Sequence, residues 1–189
     1  LGVVTEIAVR LLPTPPIAKV LMAAFESVEE AASAVAGIIA AGIIPAGLEM
    51  MDTPAIIAVE DFIQAGYPRD AAAILLCELD GTQAEVDTEI GVVSTLFSEF
   101  GARSVDIARD ESERERFWSG RKNAFPAVGR ISPDYYCIDG TIPRRALGQV
   151  LSGISQLAAE YGLRVANVFH AGDGNLHPLI LYDSAKPGE

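Results

Sequence analysis

Cysteine, histidine and basic charge are all scarce in this chain of 189 residues. Its two cysteines, Cys77 and Cys137, cannot build a disulfide framework and sit in no CxxC spacing, so a reduced, intracellular protein is the default expectation. Lys and Arg number 14 against 26 Asp and Glu, a formal charge of −12. An acidic surface repels phosphate backbones, which argues against nucleic-acid partners. The least polar stretch, residues 31–47, carries no charge, but Gly37, Gly42 and Pro45 interrupt it. It falls short of the roughly 20 residues a membrane span needs and reads as a buried helix followed by a turn. No secretory pattern opens the chain. No initiator Met opens it either, and the apolar, β-branched run at residues 1–12 reads as a strand. A start inside a strand suggests part of something longer; a trimmed Met is the plainer alternative. What is plentiful is apolar surface. Half the residues are hydrophobic and 21% are charged, enough to build one domain core and too ordered a composition for disorder.

Pro13, Pro15 and Pro16 mark a boundary after the first strand. Strands are expected at residues 19–25, 47–51, 73–79, 104–108, 135–139, 164–171 and 176–182. Ser27, Asp52, Thr82 and Asp110 each open a helix as N-caps, with capping-box spacings at Ser27/Glu30 and Thr82/Glu85. In the third of these helices Val86, Ile90, Val93, Phe97 and Phe100 fall on one face. The fourth is charged and is expected to run from Glu111 to about Phe125. Pro143 opens a fifth helix, with Leu147, Val150, Leu151, Ile154, Leu157, Ala158 and Tyr161 as its apolar face. Residues 19–108 then give βαβ, an inserted helix, and βαβ, the order of a ferredoxin-like split βαβ unit. From Tyr135 the order restarts and stops short, so the second unit looks truncated. The fold class expected is α+β, with a largely antiparallel sheet and helices on one face.

The whole histidine supply lies in His170-Ala171-Gly172-Asp173-Gly174-Asn175-Leu176-His177. An Asp-Gly pair between two apolar runs predicts a two-residue type I′ hairpin. With Asp173-Gly174 at its centre, His170 pairs directly with His177, and opposed side chains share a face. Two imidazoles so placed can bind one metal ion, with a third ligand supplied by a carboxylate or by a residue beyond Glu189. An incomplete protein shell leaves room for water or substrate, the catalytic pattern. The plainer alternative is a stacked surface pair beside a turn. The Gly-rich segment is no dinucleotide loop, because a strand follows where a helix must.

Arg121 and Lys122 lie beside the one Trp and could offer a carboxylate fork, although spacing alone favours a solvated helix with Glu–Arg pairs. Arg144 and Arg145 read as solvated first-turn residues. Tyr135 and Tyr136 read as core and rim of a strand, and Cys77 and Cys137 as small buried hydrophobes.

Residues 170–178, His-Ala-Gly-Asp-Gly-Asn-Leu-His-Pro, resemble the H-x-G-D-G-N-x-H motif of FAD-linked 2-hydroxyacid oxidases and dehydrogenases. Residues 121–136 and 139–144 continue the likeness, nearest to glycolate oxidase flavin subunits; D-lactate and D-2-hydroxyglutarate dehydrogenases are in the same group. Residues 1–6 resemble the end of the family's FAD domain, and Glu49-Met50-Met51-Asp52 also fits. The resemblance implies that residues 1–12 close an FAD-binding domain and that residues 13–189 are the substrate-side domain, truncated at its C-terminus. It implies FAD held by the other domain, a divalent metal of the zinc class on His170 and His177, and a substrate carboxylate on Arg121. The Glu-His-Gly motif that supplies the third ligand and the base would lie beyond Glu189, so this piece alone should be catalytically silent. Cys137 stands where some relatives place a lysine, which argues against a longer dicarboxylate. The implied reaction is oxidation of a small 2-hydroxy acid, of the glycolate or D-lactate class, with hydride transfer to FAD. Implied partners are its own FAD domain and further oxidase subunits, an iron–sulfur subunit among them, with a homodimer also in view. The implied location is the cytoplasm or the inner face of the membrane. A reading of another class is an assembly module whose sheet docks a partner and whose histidines are structural.

Overall fold

In the computed structural model, residues 2–187 are described. Leu1, the start of the expected closing strand, and Gly188 and Glu189, the end of the expected domain, lie outside them. The order is β1 (Ile17–Phe25), α1 (Val28–Ala40), β2 (Gly47–Asp52), α2 (Thr53–Ile63), β3 (Ala73–Gly81), α3 (Gln83–Glu99), β4 (Ala102–Ile107), α4 (Glu111–Lys122) and α5 (Ala124–Val128). Then follow β5 (Asp134–Cys137), β6 (Gly140–Thr141), α6 (Leu147–Glu160), β7 (Arg164–Phe169), β8 (Asn175–Leu176) and β9 (Pro178–Tyr182). Seven strands form one sheet in the order β4-β1-β3-β2-β7-β9-β5, with antiparallel pairing throughout. The first four strands have the ferredoxin-like order, and β7-β9-β5 repeats β2-β3-β1. The expected α+β class and antiparallel sheet therefore stand.

The caps act where the sequence placed them. Ser27, Asp52 and Asp110 accept from the backbone N–H three residues on, at 3.1, 3.2 and 2.9 Å. Both halves of the Thr82/Glu85 box are formed. Each helix thereby satisfies donors that would otherwise be orphaned at its first turn.

The expectation of helices on one face needs correction. Leu21, Ala23, Phe25, Leu48, Met50 and Leu75 pack under α1, α3 and α6. The alternate residues Val20, Met22, Ala24, Met51, Ile74 and Leu76 pack under α2, α4 and α5. Neighbouring strand residues point to opposite faces, so a strand buried throughout, as β1 is from Val20 to Phe25, demands cover on both sides. Phe25 meets Phe97 edge-to-face at 6.1 Å on the first side; such a pair adds about 0.5–1.5 kcal/mol beyond its burial.

Residues 2–15 form no strand, and residues 2–16 are exposed. A strand needs a neighbour, and none among the described residues pairs with them. The charged helix stops at Lys122, and a separate helix begins at Ala124. A 3₁₀ turn at Arg144–Ala146 precedes α6, whose expected apolar face is only half used: Leu147 and Leu151 are buried, Leu157 and Tyr161 exposed. Cys77 is buried as expected, but Cys137 is exposed.

Candidate functional site

The histidine hairpin is built differently from the two-residue turn. Strands β7 and β9 pair Asn167 with Pro178 and Ala166 with Leu179, and the same register places His170 opposite Asn175. The loop is therefore four residues, Ala171 to Gly174, with a 3₁₀ turn at Ala171–Asp173 and Gly174 left-handed at φ 70°. Asp173 does not take the positive φ a type I′ turn requires. His170 and His177 are diagonal neighbours rather than a direct pair. A two-residue slip preserves the face of every side chain. The rings accordingly still meet, with centroids 5.2 Å apart and planes at 88°.

Both histidines project to the face covered by α2, α4 and α5, and α4 brings Arg121 there. Its Nε donates to Glu49 Oε2 at 2.8 Å. The other Glu49 oxygen, Oε1, lies 2.7 Å from His170 Nδ1. Side-chain exposure is 12% for Arg121, 10% for Glu49, 43% for His170 and 14% for His177. In such a sheltered pair the deletion of one partner costs about 3–5 kcal/mol, because the other charge stays buried alone. Arg121 thus departs from the solvated alternative, whereas Arg116 fits it, pairing with Glu113 on the same helix.

His177 packs edge-on against Phe125 at 6.4 Å, and its Nδ1 lies 3.5 Å from Asp139 Oδ1. Burial pushes its pKa below the usual histidine value; Asp139 opposes this, and the nearby His170 and Arg121 add to it. A neutral imidazole keeps a ring lone pair for a ligand. Among the described residues no group of three or more His, Cys, Asp or Glu is arranged to hold a metal ion. The two histidines fit a cation as a partial donor set only.

A cleft of about 510 Å³ opens beside the loop, lined by Glu49, His170, Gly172, Asp173 and Arg144 together with the apolar Ile44, Pro45 and Leu48. It reaches neither Arg121 nor His177. Arg144 is not simply solvated, since its Nε donates to the Gly172 carbonyl and ties α6's entry to the histidine loop. The sequence reading passed over Glu49, Phe125 and Arg144 as site residues. For Glu49 a signal existed: it is the one charge in the apolar run Gly47–Met51.

Residues 14–189 match the family model described as FAD linked oxidases, C-terminal domain. The chain is 66% identical over its full length to glycolate oxidase subunit GlcD of Escherichia coli (strain K12), covering 38% of that protein. It is 38% identical over its full length to the same-named subunit of Bacillus subtilis (strain 168), covering 40% of it. The chain thus spans about two-fifths of the length of these relatives. Among solved structures, 4-ethylphenol oxidase from Gulosibacter chungangensis superposes with a TM-score of 0.67 at 15% identity, over 94% of this chain and 42% of that one. That likeness concerns the fold alone.

Proposed function

Because the chain belongs to the FAD-linked oxidase C-terminal domain family, we propose that it is the substrate-side domain of a flavoprotein that oxidises a small 2-hydroxy acid to the 2-oxo acid. The observation that carries this reading is the convergence of Arg121, His170 and His177 around one sheltered carboxylate. The 66% identity to a glycolate oxidase subunit supports the substrate class.

In this reading Arg121 receives the substrate carboxylate through its planar fork, which fixes the orientation of the carbon that reacts. His170 and His177 present ring nitrogens to a divalent cation of the zinc class, with the remaining ligand drawn from outside the described residues. Such a cation, when bound, supplies a Lewis acid for the 2-hydroxyl oxygen, and FAD supplies the hydride acceptor. No residue of this chain is assigned to FAD. Phe125 packs edge-on against His177, and the burial of His177 lowers its pKa, which favours the neutral ring. The relatives' length supports an FAD-binding domain elsewhere in the protein, and the name "subunit" supports further oxidase subunits; that one of them carries an iron–sulfur centre belongs to the proposal. No described helix is long and apolar enough to cross a membrane; a cytoplasmic location belongs to the proposal.

The test uses the full-length protein. His170→Ala and His177→Ala should keep their flavin and lose most turnover of glycolate or D-lactate. Normal turnover in both would end the reading in favour of a structural histidine pair.

A further inference from the structure

The geometry points to Glu49 as a positioning residue that orients the carboxylate-binding Arg121 and the metal-binding His170 together; this rests on the function proposed above. Glu49 sits in β2, in the interior of the sheet, where Glu49 pairs with Leu76 and Met50 pairs with Phe169. Its backbone is held by β3 on one side and lies next to the end of the ladder with β7 on the other, and its side chain points to the face beneath α4. Its two oxygens go to different partners, Oε1 to His170 Nδ1 and Oε2 to Arg121 Nε. At 10% exposure there is little water to replace either partner.

Each contact selects one state of its partner. A carboxylate only accepts, so the His170 nitrogen facing it carries the proton. The Nε2 lone pair is then left for a cation, the arrangement in which an outer carboxylate fixes a ligand's tautomer. On Arg121 the contact occupies Nε. Its two terminal nitrogens have no hydrogen bond among the described residues, and together they form the end-on fork that takes a carboxylate through two bonds. Rotation of the Glu49 carboxyl would disturb both groups at once. A plain stabilising ion pair predicts no such joint effect on ligand binding.

The experiment compares wild type with Glu49→Gln, His170→Ala and Arg121→Ala in the full-length flavoprotein. Gln keeps the size of Glu49 but has one accepting oxygen, so it cannot accept from both partners; if its amide N–H donates to His170 Nδ1 instead, the ring proton moves to Nε2 and takes the lone pair meant for the cation. Glu49→Gln should retain flavin, bind Zn²⁺ alone about 10–100-fold more weakly, and lose about 100-fold in kcat/KM for glycolate. Unchanged Zn²⁺ affinity and kcat/KM in Glu49→Gln, with activity lost in His170→Ala and Arg121→Ala, would overturn the inference and leave the proposed function standing. Normal turnover in His170→Ala and Arg121→Ala would remove the proposed function and this inference with it. Should Glu49→Gln fail to fold, the metal-free wild type decides: ¹⁵N-histidine NMR should find His170 protonated at Nδ1, and a proton on Nε2 alone refutes the role of Glu49.

Discussion

Replacing Gly174 by Ala tests the loop on which both histidines depend. Gly174 stands at φ 70°, and its carbonyl accepts from Ile142 N at 2.9 Å. A left-handed conformation costs a residue with a Cβ about 1–2 kcal/mol. The added Cβ would also collide with the backbone oxygen of Ile142, a neighbour that cannot swing aside as a side chain does. Overpacking of that kind costs about 1–3 kcal/mol. The two together predict a loss of roughly 2–5 kcal/mol. At about 2–4 °C per kcal/mol for a domain of this size, the melting temperature should fall by roughly 4–20 °C. Gly153→Ala is the control. Gly153 lies inside α6 with open space where its Cβ would go, so alanine there should gain up to about 1 kcal/mol in helix propensity. Thermal unfolding followed by circular dichroism reads both variants. If Gly174→Ala melts within a degree of wild type, the left-handed residue and its close approach to Ile142 are not as described.

Asp52 is fully buried, and burial pushes its pKa up to about 6, against hydrogen bonds from Asn167 and Ala55 that lower it. A raised carboxyl pKa means the folded state holds its proton longer, so the stability it brings is present below pH 3.8 and is lost as the pH rises through about 6. At about 1.36 kcal/mol per unit this amounts to roughly 3 kcal/mol, and urea titrations at pH 4 and pH 7 should show Asp52→Asn gaining on wild type as the pH rises. Gly120 lies against the ring of Tyr67, whose hydroxyl donates to the Phe117 carbonyl; Gly120→Ala should cost about 1–3 kcal/mol in denaturant unfolding. Thr82→Ala opens the formed capping box of α3 and should cost about 1 kcal/mol by the same measurement.

The sequence announced most of this fold through local chemistry. Caps at Ser27, Asp52, Thr82 and Asp110 act over three residues, so their signals survive whatever the tertiary context does. What failed was longer in range. The continuous apolar runs of β1 and β3 were the mark of strands covered on both faces, yet of the helices that cover the second face only α2 is largely apolar, while α4 is charged and α5 is short. Phe117 is the one large apolar residue that α4 buries there. The turn failed for another reason: Asp-Gly favours a two-residue reversal, but the contact of the loop with β2 and with Ile142 selects four residues. The histidines were legible despite that error because register slips by twos are silent about faces. Glu49 was visible as a lone charge, but its two partners lie 72 and 121 positions away, and no local pattern encodes such distances.

The ladder between β2 and β7 is only two residue pairs long, Met50 with Phe169 and Met51 with Val168. Among the described residues it is the one ladder that joins the strands of the leading and trailing repeats, and Glu49 and His170 sit immediately beside it. The Glu49–His170 contact thereby depends on how the two repeats are held together. Helices bridge the same seam, α1 against α6 and α2 against β7, and both apolar cores run across it, so denaturant should separate acid from imidazole only as the whole fold melts.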